Sequence, residues 1–514
     1  MSQFEALPPY GMPLKGEIGE RPERPAGGFG FPGGPGGPGG PGPEGMGGPG
    51  GPGGPGPEGM GGPGGPGGPG PGGPGGPDSG APTDDPTSPR TFKMIPSYVI
   101  NDNQVVASPT NHTLVGEIGD QAATGIRFTT KQNYINGLVI GGNSRYTISN
   151  AYFRMDGHGV NDFEGIGAAV MVKDSAECTL ENSYVETNGV IRPCTACADN
   201  AVLRVKHCQI YGNSGPLPDY YDPLNPIKGP GMIEPPRGLF LGGTCRTHLS
   251  VGTTKTYYSN THIEADGWAA LSTDNGRDLY LQADDCNVIV RNVGYGVYAD
   301  GGCNVVLNNT RFTTATHGGI LAGDFTAKFN GCTMRSGRYD FMCHDLSGGA
   351  FSLAPLEVVD SVCNAEEACL YIKSHNIHAD IINSELDSPK YAIHAIVNDD
   401  PDAGALPEGT VPYGNKLYVS GSLLTGDVVN DDVRSMSIVL EDSKIFGAVQ
   451  NVYLKPVGSA TWYATKDSTV ALVDTESVSF MDAAEGVTIH ATAASGTTLS
   501  GTYALPSGGT LIVS

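Results

Sequence analysis

The sequence predicts an all-β fold in which short parallel strands wind into a β-helix, or solenoid, behind a disordered Pro/Gly-rich N-terminal segment. Three observations carry the prediction. The composition changes abruptly near residue 93, apolar residues alternate in short runs after it, and one motif recurs at the spacing of a solenoid coil.

The head comes first. The chain has 514 residues, with 78 glycines and 40 prolines, and from Gly27 to Pro77 it is almost entirely Gly and Pro. Such a stretch has nothing with which to build a core. Gly occupies every third position from Gly33 to Gly54, but Pro57 then takes the axial place and the register shifts, so a long collagen-like triple helix is not expected. The segment reads as a flexible tail with polyproline-II character, and residues 78–92 as a linker. Two parts follow: a low-complexity tail and linker over 1–92, and a β-helix over 93–514 with a projecting loop at 212–243.

The motif is apolar-x-apolar-x-(Asn, Asp, Gly or His)-(Ser, Thr or Cys)-x-apolar. Copies begin at Cys178, Leu203, Thr256, Val305, Ala327, Leu356, Ala379, Leu417 and Ile438. Successive starts differ by 25, 53, 49, 22, 29, 23, 38 and 21 residues, and a degenerate copy near Leu279 would let the two long gaps be about two units each. In a coil of this kind alternate apolar residues point inward. Asn or Asp takes the tight bend, and the small residue after it stacks on its equivalent in the next coil. Cys178, Cys208, Cys332 and Cys363 then belong to the core. Thr425-Gly426-Asp427-Val428, echoed by Phe446-Gly447-Ala448-Val449, reads as regular coils near the C-terminal end.

This repeat resembles that of the right-handed parallel β-helix superfamily, the pectin-lyase-like architecture shared by polysaccharide lyases, glycosidases, epimerases and adhesins. The resemblance covers about residues 95–514. It implies a right-handed coil and says more of fold than of function, because the motif is a stacking pattern.

Charge narrows the function classes. Asp and Glu outnumber Lys and Arg by 54 to 30, a formal net charge of −24, so nucleic acid and anionic membrane surfaces are not expected partners. No run approaches the roughly 20 apolar residues of a membrane span, and the first thirty residues lack the apolar core of a secretory signal. The expected location is cytoplasmic, with a surface or exported location left open. Eleven cysteines, scattered except for Cys194-x-x-Cys197, read mainly as buried apolar side chains.

Binding sites in solenoids gather where a coil is interrupted or where outward polar residues cluster. The main interruption, 212–243, is Pro-rich and contains Tyr220, Tyr221 and Arg237, a loop expected to wall a groove. Beyond it, Asp266, Asp274, Asp300, Arg246 and Tyr295 are the candidate catalytic residues, with Trp268, Arg237, Tyr298, Tyr220 and Tyr221 as candidate substrate contacts. Asp266-Gly267-Trp268 follows a motif copy directly, so Trp268 is expected near the surface as a platform for a sugar ring. Stacked coils lie only about 4.8 Å apart, so Asp266 and Asp300 are expected to approach each other. Paired carboxylates suit glycoside hydrolysis, and Arg with Tyr suits proton abstraction by a lyase or epimerase. The negative balance makes a neutral glycan or small glycoside the easier substrate. An earlier loop offers Asp156, His158 and Asp162, oxygen and imidazole groups that would suit calcium; otherwise no cofactor is expected.

Three functions compete. The first is a carbohydrate- or glycoside-active enzyme, and the second a non-catalytic, adhesin-like binding or surface protein. The third is a homo-oligomer assembled through the tail with enzymatic sites on each rod.

Overall fold

The computed structural model describes residues 95–107, 113–159, 163–217, 233–235, 238–276, 278–345, 353–400 and 413–514. The 1–92 tail lies outside them. The described chain forms 42 strands and no helix, wound as a parallel β-helix whose coils present three faces.

One face stacks Arg145–Ser149, Glu177–Glu181, Val202–Lys206, Lys255–Ser259 and Leu279–Asp284, and continues upward coil by coil. The second face stacks Tyr152–Asp156, Tyr184–Asn188, Gln209–Asn213, His262–Ala265 and Asn287–Val290. The third stacks Thr195–Cys197, Arg246–Gly252, Trp268–Gly276, Gly294–Ala299, His317–Ala322 and Tyr339–His344. Alternate side chains of all three meet inside one continuous apolar column running from Ile100 to Val513.

The bend between the first two faces follows from the motif. Asn182, His207, Asn260, Asp285, Asn309, Asp360, Asn383 and Asp442 all have φ between 47° and 51°, the left-handed region that Asn and Asp tolerate best. Gly331 and Gly421 take the same place at 63° and 60°. The next residue supplies a ladder of hydroxyls. The amides of Cys332, Ser361, Ser384 and Ser422 each donate to the hydroxyl one coil on, Ser361, Ser384, Ser422 and Ser443, at 2.9–3.1 Å. Each corner amide is thereby satisfied where no strand partner is available.

Register corrects the reading of the two long gaps. Leu203 pairs directly with Thr256, so the 53-residue spacing is one coil lengthened by its loop, not two coils. The other long gap does hold an extra coil, whose motif begins at Leu281, between Thr256 and Val305. The repeated Thr425 and Phe446 segments stack as regular coils. Antiparallel hairpins close both ends: Ile95–Asn101 with Gln104–Ala107 and Thr113–Ile118 with Ala122–Thr130 at the start, and Gly501–Ala504 with Thr510–Val513 at the finish.

All eleven cysteines are buried free thiols. Cys178, Cys208, Cys332 and Cys363 sit in the core column, as do Cys194 and Cys197. Burial pushes the Cys194 and Cys197 thiols up to about 12, away from the thiolate that redox chemistry or metal binding requires.

Candidate functional site

The third face gathers five of the candidates. Arg246 Nη1 donates to Asp274 Oδ2 at 2.6 Å, with side chains only 7% and 11% exposed. The guanidinium lies 4.7 Å from the centre of the Trp268 ring and 5.6 Å from that of Phe163. The Tyr295 hydroxyl is hydrogen-bonded to that of Ser272 at 2.8 Å. Half-buried Tyr298 stands 5.5 Å from the Tyr295 ring. Burial first, then the charges of Asp300 and Asp274, raise the Tyr298 hydroxyl well above its ordinary pKa.

Two expectations need correction here. Trp268 is not near the surface; it is fully buried, in an apolar cluster with Ile233, Leu239, Tyr295 and Tyr339. The described end of the 212–243 segment contributes to this cover, with Ile233 and Leu239 packed in the same cluster as the ring. His317 Nε2–H donates to the Leu239 carbonyl at 2.9 Å, and Arg338 lies 3.8 Å from the centre of the Phe240 ring. Stacking also does not bring Asp266 to Asp300. Asp266 precedes the strand Trp268–Gly276, whereas Ser272 pairs with Tyr298 and so places Asp300 at the Asp274 end of the stack. Arg237, Tyr220 and Tyr221 lie outside the described residues, as does Asp162.

Asp266 belongs instead to the edge of the second face, where its Oδ2 accepts from the Ser214 amide at 3.1 Å. That face carries an outward strip of rings: Tyr152 and Tyr184 stacked at 5.2 Å, Tyr184 and Tyr211 at 5.3 Å, and Tyr211 and His262 at 5.3 Å. Beside the rings, Arg154, Glu186, Tyr211 and Glu264 stand in register on successive coils. Glu264 contacts His262 at 3.0 Å and pairs with Arg291, and the His262 ring, then Arg291, hold its carboxyl below the usual range against the opposing effect of burial.

At the N-terminal end of this strip lies an open polar cleft of about 870 Å³, lined by Thr113, Thr129, Thr130, Lys131, Gln132, Arg154 and Asp156. Asp156 and Glu186 flank Arg154 at 3.9 Å each. One amide nitrogen, Asn188 Nδ2, donates to Asp156 Oδ1 at 2.9 Å and to Glu186 Oε1 at 3.2 Å. The shared donor keeps those two oxygens within about 6 Å, close to the spacing of paired catalytic carboxylates. Asn188 is itself held by Asn213 Nδ2 at 2.8 Å. His158, behind the cleft, accepts the Val190 amide on Nδ1 at 3.1 Å, and burial, then the Arg192 charge, lower its pKa. Among the described residues no group of three or more His, Cys, Asp or Glu is placed to hold a metal ion.

Sequence reasoning singled out Asp156 but missed Arg154, Glu186, Asn188 and Lys131. A signal was present: Glu186, Tyr211 and Glu264 each directly follow the last apolar residue of a motif copy, Val185, Ile210 and Ile263, and so fall on one outward column. No family model, curated protein or solved structure matches the chain.

Proposed function

We propose that the chain binds a saccharide in the Thr129–Asp156 cleft and cleaves or rearranges it there, with Asp156 and Glu186 as the acid–base pair. The single observation that carries this reading is the open cleft with two carboxylates bridged by Asn188 at its edge. Threonine hydroxyls, an amide and charged groups in its lining suit the dense hydroxyls of a sugar, and the tyrosine strip extends the surface along which a longer chain would lie. The carboxylate spacing favours a retaining course, in which one group attacks the sugar while the other protonates the leaving oxygen. This assignment moves the proposed chemistry away from Asp274 and Arg246, whose charges are paired with each other, and from Asp300. The proposal extends to a right-handed, pectin-lyase-like coil.

The test is a glycan and glycoside screen on the full chain, followed by Asp156→Asn and Glu186→Gln. Turnover should fall at least about 100-fold in each variant while binding persists. Unchanged turnover would remove these residues from the chemistry. A glycan that binds with no turnover would favour the adhesin-like reading, and loss of activity on chelation would return calcium to Asp156.

A further inference from the structure

The Pro/Gly segment that opens the sequence has no part in the saccharide reading, and the point at which it joins the solenoid bears on its use. The first described strand is Ile95–Asn101, and its Ile95 pairs in register with Ile135 one coil on. Ile135 follows the turn that leads out of Thr129, Thr130, Lys131 and Gln132, all residues of the cleft lining. The N-terminal segment therefore joins at the same corner, one coil below the rim of the cleft. Residues 78–92 alone span up to about 50 Å when extended. The strip from Tyr152 to His262 crosses successive coils and is only about 15 Å long at roughly 4.8 Å per coil, so all of it is within reach.

The two surfaces are complementary in charge and in shape. Between Gly27 and Pro77 the only charged residues are Glu44 and Glu58, each inside a copy of Gly-Pro-Glu-Gly-Met. The solenoid beside the join is the opposite: residues 121–155 hold Arg127, Lys131, Arg145 and Arg154 and not one carboxylate, in a chain where acids outnumber bases 54 to 30. Lys131 and Arg154 line the cleft. The contacts of Arg154 with Asp156 and Glu186 are long, 3.9 Å each, and its side chain is 52% exposed, so the guanidinium has room for a closer carboxylate. Next to it Tyr152, Tyr184 and Tyr211 remain partly exposed. Pro-rich chain in the polyproline-II conformation docks on rows of aromatic rings, because its own rings are apolar, its carbonyls are unbonded acceptors and its conformation is preset. Glycines between the prolines let the backbone approach closely.

We infer that the chain's own Pro/Gly segment docks on the second face, one Gly-Pro-Glu-Gly-Met copy at a time. Glu44 or Glu58 meets Lys131 and Arg154, and the flanking prolines lie along Tyr152, Tyr184 and Tyr211. Tethering supplies an effective concentration on the order of 1 mM, so a contact too weak to form between separate molecules is populated within one. The docking itself does not need the saccharide reading. Its consequence does rest on that reading: a segment lying over the cleft and the strip is a built-in competitor that a sugar must displace.

The experiment places a nitroxide spin label on the full chain at Gly51→Cys, between the two copies; every native thiol is buried, so the added one is the site that reacts. More than half of the label should tumble slowly, as a tethered site with a Kd below about 1 mM requires. The slow fraction should collapse in Glu44→Gln/Glu58→Gln, which leaves the solenoid untouched, and in Arg154→Gln and Tyr211→Ala. A free peptide of residues 40–62, added in excess, should also release it. A label as mobile in the parent as in the Glu44→Gln/Glu58→Gln variant would overturn the inference. So would a slow fraction that survives Arg154→Gln and Tyr211→Ala, which would put the segment elsewhere, or one that fades on dilution, which would make the occupant a neighbour's segment. A glycan that binds should free the label. One that binds while the label stays held would remove the sugar from this cleft and leave the docking standing.

Discussion

Asp340 gives the sharpest test of the interior. It projects into the solenoid from the strand Tyr339–His344 and is fully buried. Oδ1 accepts the Ser336 hydroxyl at 2.7 Å, and Oδ2 has no partner. Burial pushes its pKa up to about 7 from an ordinary 3.8, against the smaller opposing effects of Ser336 and Cys369. Below pH 3.8 both the folded and unfolded chains hold the proton. Between 3.8 and about 7 the unfolded chain releases it and the folded chain keeps it, so stability falls as pH rises, by about 1.36 kcal/mol per pH unit. Over that window the loss comes to about 4 kcal/mol, and it is complete above the folded pKa. Asp340→Asn retains the shape and removes the proton. Denaturant unfolding of both proteins from about pH 4 to 8 should therefore show the variant gaining about 4 kcal/mol on the parent across the range. The difference between the two curves is the quantity to read, because His248, His317 and His344 act oppositely. Burial lowers each of them to about 3 from 6.5, so their contribution is lost as pH falls through that interval. Parallel curves for parent and variant would refute the assignment of a buried, protonated Asp340.

Other outcomes follow from the same structure. Trp268→Ala should cost about 3–5 kcal/mol in chemical denaturation; an exposed sugar platform would cost almost nothing. Asp274→Asn leaves the buried Arg246 guanidinium without that carboxylate and should lower stability by about 3–5 kcal/mol, with saccharide binding in the second-face cleft unaffected. Ser384→Ala removes the acceptor of the Ser361 amide and should cost about 1–3 kcal/mol, readable as a fall in the unfolding midpoint.

The fold was legible because its signal is local and repeated. An Asn or Asp at a left-handed bend, followed by Ser, Thr or Cys, recurs with the same meaning in each coil, and Asn182, Asn309 and Asp442 behave alike across the molecule. Coil length was not legible in the same way. The 212–243 loop leaves and rejoins one coil without disturbing the pairing of Leu203 with Thr256, so spacing alone mistook one long coil for two. The site was harder still. Trp268 is hidden by Leu239, almost thirty residues earlier, and nothing in Asp266-Gly267-Trp268 announces that cover. Asp156 and Glu186 are thirty residues apart and meet through Asn188 and Arg154. Outward positions carry no periodic apolar mark, and only alignment of the coils shows which polar residues share a column.

The buried thiols make the rod a ruler for its own opening. Every cysteine falls between Cys178 and Cys369, and the chain beyond has none. A thiol-labelling reagent would record, by which positions react first, the height at which coils separate. Fraying that begins at the C-terminal hairpin would pass unlabelled until it climbed as far as Cys369, whereas a breach near the 212–243 loop would mark Cys208 or Cys245 at once.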